Sequence, residues 1–237
     1  MNAHRDSGLG IRDRIEVPQP SLTAVIPVGP GDRSWRELVE LLAREAPGIV
    51  RVLVFAIGDL QSRPRDPAQR VLEVERGRAR QLNAGARRAR SEWVWFLHAD
   101  SRPDARTLAG LATFLAAGHD ALGYFDLRFH DRDSPLLRLT EWGARWRCRR
   151  FGLPFGDQGF VLRRTRFEAL GGFDEARSFG EDHALVWAAR RAGVAPMPMA
   201  AALPTSARKY REHGWLKTTL RHQRLTWSQA WQEWRRG

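Results

Sequence analysis

Asp100 follows an apolar run, Trp93-Val94-Trp95-Phe96-Leu97, with His98 and Ala99 between them. A strand that delivers a carboxylate to a sheet edge offers a hard oxygen donor, which suits Mg²⁺ or Mn²⁺. A cation held there would neutralise a diphosphate leaving group. The same aspartate also reads as a turn cap, with Ser101-Arg102-Pro103 as the loop, and the spacing alone does not separate the two. Upstream, Gly77-Arg78-Ala79-Arg80-Gln81-Leu82-Asn83-Ala84-Gly85 opens a helical pattern on a glycine. Such a start leaves backbone N–H groups free to face phosphate, and Arg78 and Arg80 add positive charge. Arginines on a helix are also the ordinary composition of a solvated face. Downstream, Glu181-Asp182 begins another helical stretch. Acidic residues there favour the helix dipole, or one of them serves as a general base toward a hydroxyl.

The elements that must carry these residues alternate in the first half of the chain. Leu22 to Ile26 is a short β-type run stopped by Pro27, and the loop Val28-Gly29-Pro30-Gly31-Asp32 follows. Ser34 and Glu37 have the spacing of a capping box, ahead of a helix whose apolar face is Leu38, Val39, Leu41 and Leu42. Val50 to Ile57 is a second buried strand. Ala79, Leu82, Ala86 and Ala89 mark a second helix, and Trp93 to Leu97 is a third strand. Asp104 caps a helix through about Leu115. This order predicts an α/β fold with a mostly parallel, Rossmann-like sheet flanked by helices. In such sheets ligands gather at the carboxyl ends of the strands, which are the loops after Ile26, Ile57 and Leu97.

The second half is less regular. It predicts a strand over Tyr124 to Phe129, a helix over Leu136 to Arg147, a loop over Phe151 to Gly156 and a strand over Gly159 to Leu162. A short helix after Thr165 ends at Gly171-Gly172, and another runs from about Asp182 to Arg191. Residues 1–20 read as a flexible lead-in, and 21–237 as one domain with a basic helical tail over about 213–237.

Composition sets bounds on these readings. With 237 residues, 43% of them hydrophobic, one sizeable core is expected. No apolar run approaches a membrane span, and the first residues lack a secretory signature. The lone Cys148 excludes an intrachain disulfide and fits a reducing compartment, so the expected location is cytoplasmic. The net charge of +12 favours anionic ligands: nucleic acid, lipid headgroups or phosphorylated small molecules. No zinc-ligand set or RNA-recognition signature accompanies it, which counts against a nucleic-acid-binding protein.

Four stretches, taken in order, carry a resemblance. They are Thr23-Ala24-Val25-Ile26-Pro27-Val28; Gly77 through Gly85 with Phe96 to Arg102; Gly156-Asp157-Gln158-Gly159 with Phe167 to Phe173; and Glu181-Asp182 followed by Thr205 to Tyr210. Together they resemble a family-2 glycosyltransferase of the GT-A fold, most of all the short bacterial radical-SAM/selenodomain-associated branch. The resemblance covers about Ser21 to Leu220. It implies an inverting hexosyltransferase that uses a UDP- or GDP-linked sugar, a divalent cation (Mn²⁺ or Mg²⁺) and an unidentified hydroxyl acceptor. Pro27 and Val28 would lie against the base. Arg80, Asn83 and His98 would approach the nucleotide or its phosphates, and Arg208 and Lys209 the diphosphate. Asp100, at the position of the family's Asp-x-Asp motif, would be the metal ligand. Asp182 would be the catalytic base, with Asp157, Gln158 and Glu181 on the acceptor side.

Two positions depart from the family pattern. The second strand normally ends in an acid, but Val54-Phe55-Ala56-Ile57 has none, and Asp59 is the nearest substitute. His98 replaces the first acid of the Asp-x-Asp motif. A pseudoenzyme that binds a sugar nucleotide without turnover is the alternative these departures raise. In the tail, Trp215, Trp227, Trp231 and Trp234 mix with Lys217, Arg221, Arg224, Arg235 and Arg236. Packing of the aromatic stripe on the domain is the favoured reading. A helix resting on the inner, anionic face of a membrane is the other.

Overall fold

The computed structural model describes residues 22–60, 69–130, 134–177 and 179–220, together with 224, 228, 231 and 235. The lead-in expected over residues 1–20 and most of the tail expected over 213–237 lie outside the described residues. No helix among the described residues is long and apolar enough to cross a membrane.

Seven strands form one sheet, in the order β3-β2-β1-β4-β6-β5-β7. They are β1 (Leu22–Pro27), β2 (Val50–Ala56), β3 (Gln69–Val74), β4 (Trp93–Phe96), β5 (Leu122–Phe129), β6 (Val161–Arg163) and β7 (Pro196–Thr205). β1 pairs in parallel with β2 and β4, β2 with β3, and β5 with β7. Only β6 runs against its neighbours, β4 and β5. The carboxyl ends of the other six strands therefore share one edge, and the residues that lead into β6 arrive at that same edge.

The helices are α1 (Trp35–Glu45), α2 (Arg78–Arg88), α3 (Ala105–Ala117), α4 (Pro135–Phe151), α5 (Arg164–Ala169), α6 (Glu181–Arg191) and α7 (Arg208–His213). Every residue of β1 is buried, because alternate side chains feed two separate cores. Leu22, Ala24 and Ile26 pack with Leu38 and Leu42 of α1 and Leu108 and Leu111 of α3. Val25 faces the other way, toward Leu82 and Ala86 of α2 and Leu185 of α6. β4 divides likewise, with Trp93 and Trp95 in the first core and Val94 and Phe96 in the second.

The expected strands and helices of the first half are present, with two differences. β3 is an additional strand at the sheet edge; its residues are only half-buried, so Gln69 to Val74 lacks the apolar signature of a central strand. The capping box proposed for Ser34 and Glu37 does not form. Asp32 intervenes: its Oδ1 accepts the Ser34 N–H at 2.8 Å and also the Ser34 hydroxyl. Asp104 does cap α3, accepting the Thr107 N–H at 2.8 Å while its own N–H donates to Thr107 Oγ1. In the second half β7 has no counterpart among the expected strands, since Pro196-Met197-Pro198-Met199 obscures a ten-residue strand.

Candidate functional site

The loop after β4 is held at both ends. The Leu97 N–H donates to Val25 O at 3.0 Å, and the Arg102 N–H donates to Pro204 O of β7 at 2.8 Å. Arg102 itself reaches across to Glu37 of α1, with Nη2 and Oε2 at 2.6 Å. Between these anchors Asp100 is half-buried, and the hydroxyl of Thr205, the last residue of β7, donates to its Oδ1 at 3.4 Å. The strand that sequence patterning misses is thus the one that supports the candidate metal ligand.

α2 starts at the same edge. Gly77 opens it at φ +150°, a backbone setting that side chains rarely adopt. Arg78 then points across the edge to two partners. One of its Nη atoms lies 2.5 Å from His98 Nε2, and its Nε lies 2.8 Å from Glu181 Oε1. His98 therefore presents Nε2 to a guanidinium, which is incompatible with that nitrogen also binding a cation. Burial pushes the Glu181 carboxyl above its usual range, the neighbouring Asp182 charge pushes it further, and Arg78 opposes both.

Asp182 is the more open member of the acidic pair. Its Oδ2 accepts the Gly156 N–H at 2.8 Å and its Oδ1 accepts the His183 N–H at 2.8 Å. Each oxygen keeps a further lone pair, so the carboxylate is aimed but not saturated. The Gly156 bond ties it to a single 3₁₀ turn, Gly156–Gln158, that leads into β6.

The remaining expected residues divide by location. Val28 is buried beside Pro27; its N–H donates to Val54 O at 2.9 Å, and its carbonyl accepts from Gln81 Nε2 at 2.9 Å. Gln81 also donates to Val54 O at 2.7 Å, so this one side chain pins the ends of β1 and β2 to α2. Asp59 and Phe55 line a shallow hollow with Val28 and Asp32, and Arg76 donates to Asp59 Oδ1 at 3.3 Å. Arg208 approaches Asp32 Oδ2 at 3.9 Å, which brings the start of α7 to the β1 loop. Lys209 follows it on the same helix.

Three residues point elsewhere. Arg80 pairs with Glu75 at 2.5 Å. Asn83 donates to Phe173 O and Glu175 Oε1 and accepts the Phe173 N–H at 2.9 Å, which clamps the loop after α5. Gln158 is fully buried, donates to Phe125 O at 2.8 Å and accepts the Phe155 N–H at 3.0 Å. These two amides hold the site's walls. Asp157 beside Gln158 is half-buried, on the cleft side of the turn. Arg78, marked in the sequence by its place one residue after Gly77, lies at this edge, as do Gln81 and Thr205, for which no individual role is legible in the sequence.

Among the described residues no group of three or more His, Cys, Asp or Glu side chains is gathered to hold a metal. One carboxylate flanked by a hydroxyl still fits a cation of the Mg²⁺ kind, which takes one or two carboxylates and fills its shell with phosphate oxygens and water. Asp100 meets that requirement, and His98 through Nε2 does not.

Residues 56–171 match the model for Glycosyl transferase family 2. The matched stretch runs from the end of β2 to Gly171 and includes Arg78, His98, Asp100, Asp157 and Gln158. Solved structures similar to the chain include S. aureus TarS 1-349, at 15% identity and TM-score 0.58, over 78% of this chain and 60% of that one. The same fragment in complex with UDP-GlcNAc gives 16% identity and TM-score 0.60, over 78% and 58%. Its complex with UDP gives 16% and 0.58, over 79% and 60%. This chain thus spans about 60% of the length of that fragment. A comparison with curated proteins gave no match. The family-2 segment and the shared architecture make the fold the GT-A type.

Proposed function

We propose that the chain transfers a sugar from a nucleoside diphosphate sugar, UDP-linked, to a hydroxyl acceptor with inversion at the anomeric carbon. One observation carries this reading: Asp100, Arg78 and the Glu181-Asp182 pair converge on one sheet edge, although they come from the loop after β4 and the starts of two helices. The family-2 match supports the reaction class, and the UDP-GlcNAc and UDP complexes of the TarS fragment support a UDP donor.

In this reading the nucleotide lies across the hollow between the β1 and β2 loops, with Asp59 in place of the acid that the second strand lacks. Arg78 and Arg208 face the diphosphate and lower the cost of its developing charge. Asp182 takes the proton from the acceptor hydroxyl. The hydroxyl oxygen then attacks C1, the C1–oxygen bond to the diphosphate breaks, and its electron pair leaves with the nucleoside diphosphate. Asp100 is the residue that would hold a divalent cation, which when bound neutralises that leaving group.

A thermal-shift panel of UDP- and GDP-linked hexoses, with and without Mn²⁺, tests the reading. At a hundredfold excess over Kd, binding adds about 2.7 kcal/mol, a Tm rise on the order of 5–10 °C for a chain of this size. The expected result is a rise with UDP sugars, enhanced by Mn²⁺, with the enhancement lost in Asp100→Ala. Absence of any shift with every nucleotide sugar, with or without metal, overturns it.

A further inference from the structure

On the acceptor flank of the edge, a second hollow runs between α4, the 3₁₀ turn and the helical residues 215–220. Its cavity volume is about 220 Å³. Four aromatic rings line it, those of Trp142, Phe155, Tyr210 and Trp215. Several of its polar groups are held by bonds within the protein. Arg147 stacks over the Phe155 ring, 3.7 Å from the centroid, while its Nε donates to Leu153 O at 2.9 Å. The indole N–H of Trp215 donates to Thr140 Oγ1 at 2.9 Å. Burial pushes the Tyr210 hydroxyl up to about 12, so it remains a neutral phenol at any physiological pH. Asp157 lines the inner end, one residue from Gly156, whose N–H holds Asp182.

Gly143 bears on what this hollow is for. It lies near the middle of the 17-residue α4, where glycine is the least favourable residue after proline. A Cβ there would meet nothing within 4 Å, so packing against the protein does not require the glycine. The residue instead leaves the cleft floor open between Thr140 and Arg147.

From this geometry we infer that the cleft binds the apolar body, aromatic or alkyl, of an amphiphilic acceptor whose hydroxyl is presented at Asp157 and Asp182. The inference rests on the glycosyltransferase reading for its use, but binding in the cleft does not depend on that reading. Aromatic walls favour an apolar or ring-shaped occupant. The bonds that Arg147, Thr140 and Trp215 already make within the protein disfavour a strongly hydrated one, and the Thr219 hydroxyl, buried without a hydrogen-bond partner among the described residues, is left for a polar group of the ligand. Continuity with the Asp182 anchor places the ligand's polar end at the reacting edge.

The test is calorimetric titration of the full chain with n-octyl β-D-glucopyranoside below its micelle-forming concentration, against methyl β-D-glucopyranoside. The octyl compound should bind at least tenfold more tightly. Gly143→Phe, which projects a ring into the cleft, should weaken octyl binding at least tenfold, and Gly143→Ala should retain it. The cooperative melting transition of each unliganded variant serves as the folding control and should lie close to that of the unsubstituted chain. Equal affinity for the two glycosides, or octyl binding untouched by Gly143→Phe, overturns the inference. Selective octyl binding that Gly143→Phe removes, in a protein that no nucleotide sugar shifts, upholds the cleft and rejects the transferase reading instead.

Discussion

Asp182 and Glu181 are neighbours in sequence with opposite settings. Glu181 is buried against Arg78 with a carboxyl pushed up by desolvation first and by Asp182 second, whereas Asp182 stays half-buried and accepts two backbone N–H groups. The proposed base is therefore the residue already oriented by the peptide backbone. Asp182→Asn preserves the shape but keeps only one of the two bonds from the backbone, since its amide nitrogen cannot accept, and it cannot take a proton. It should lower kcat by about 10²–10⁴-fold while leaving the nucleotide-sugar thermal shift intact; steady-state transfer assays beside the shift check this. Parallel loss of donor binding would show that Asp182 serves the donor instead. The arginines make a complementary point. Arg78 and Arg80 are both visible after Gly77, and their two-residue separation turns them to different sides of α2. One reaches His98 and Glu181, the other Glu75.

At the scale of elements, the start of α3 is tied to two strands of the sheet. Asp104 caps the helix and pairs with Arg128 of β5, and the Thr107 hydroxyl donates to Ala202 O of β7 at 2.7 Å. Burial pushes the Asp104 carboxyl up, but the Thr107 N–H and the Arg128 guanidinium outweigh it and hold the pKa below the usual carboxylate value. A depressed native pKa means stability that is present above the unfolded value, about 3.9, and lost as pH falls through the lower native one. Asp104→Ala should cost about 1 kcal/mol at pH 7, with the difference shrinking below about pH 4. Urea denaturation of both proteins at pH 7, 5 and 3.5 measures it; a pH-independent gap would contradict the charged cap. α2 shows the opposite device, close approach instead of charge. A Cβ on Gly85 would sit 2.3 Å from Val25 Cγ1, so the helix lies on β1 only because that position is bare.

For the molecule as a whole, the charge of +12 acts as a field and not as a set of contacts. Many of the arginines are committed to ion pairs, including those to Glu37, Glu75, Asp104, Asp120 and Asp126. The excess still attracts anionic surfaces, over a range of about 8 Å at physiological ionic strength. Leu136, Leu139, Trp142 and Trp146 are exposed along α4, beside the cleft proposed for an amphiphile. Sedimentation should show binding to vesicles containing anionic lipid at low salt, reduced several-fold at 0.5 M salt, and little binding to neutral vesicles. Equal pelleting with both vesicle types would remove the electrostatic explanation.

The strand–helix alternation of the first half, the edge to which Asp100 is delivered and the acidic pair at the start of α6 are all legible in the order of the amino acids. Those features are local: apolar runs, a glycine before a helix and acids at a helix start have physical meanings that do not require a partner. That order does not show which amide or arginine faces the edge. Asn83 and Gln158 look like ligand-binding residues in sequence, yet tertiary packing uses them to bond distant backbone groups. β7 was hidden by its prolines, and with it the Thr205 hydroxyl beside Asp100 and the register that ties the Asp100 loop at Pro204. These emerge on folding, because each depends on contacts between segments that are far apart in the chain. The same holds for Arg78, which meets Glu181 only when the two helix starts arrive at one edge.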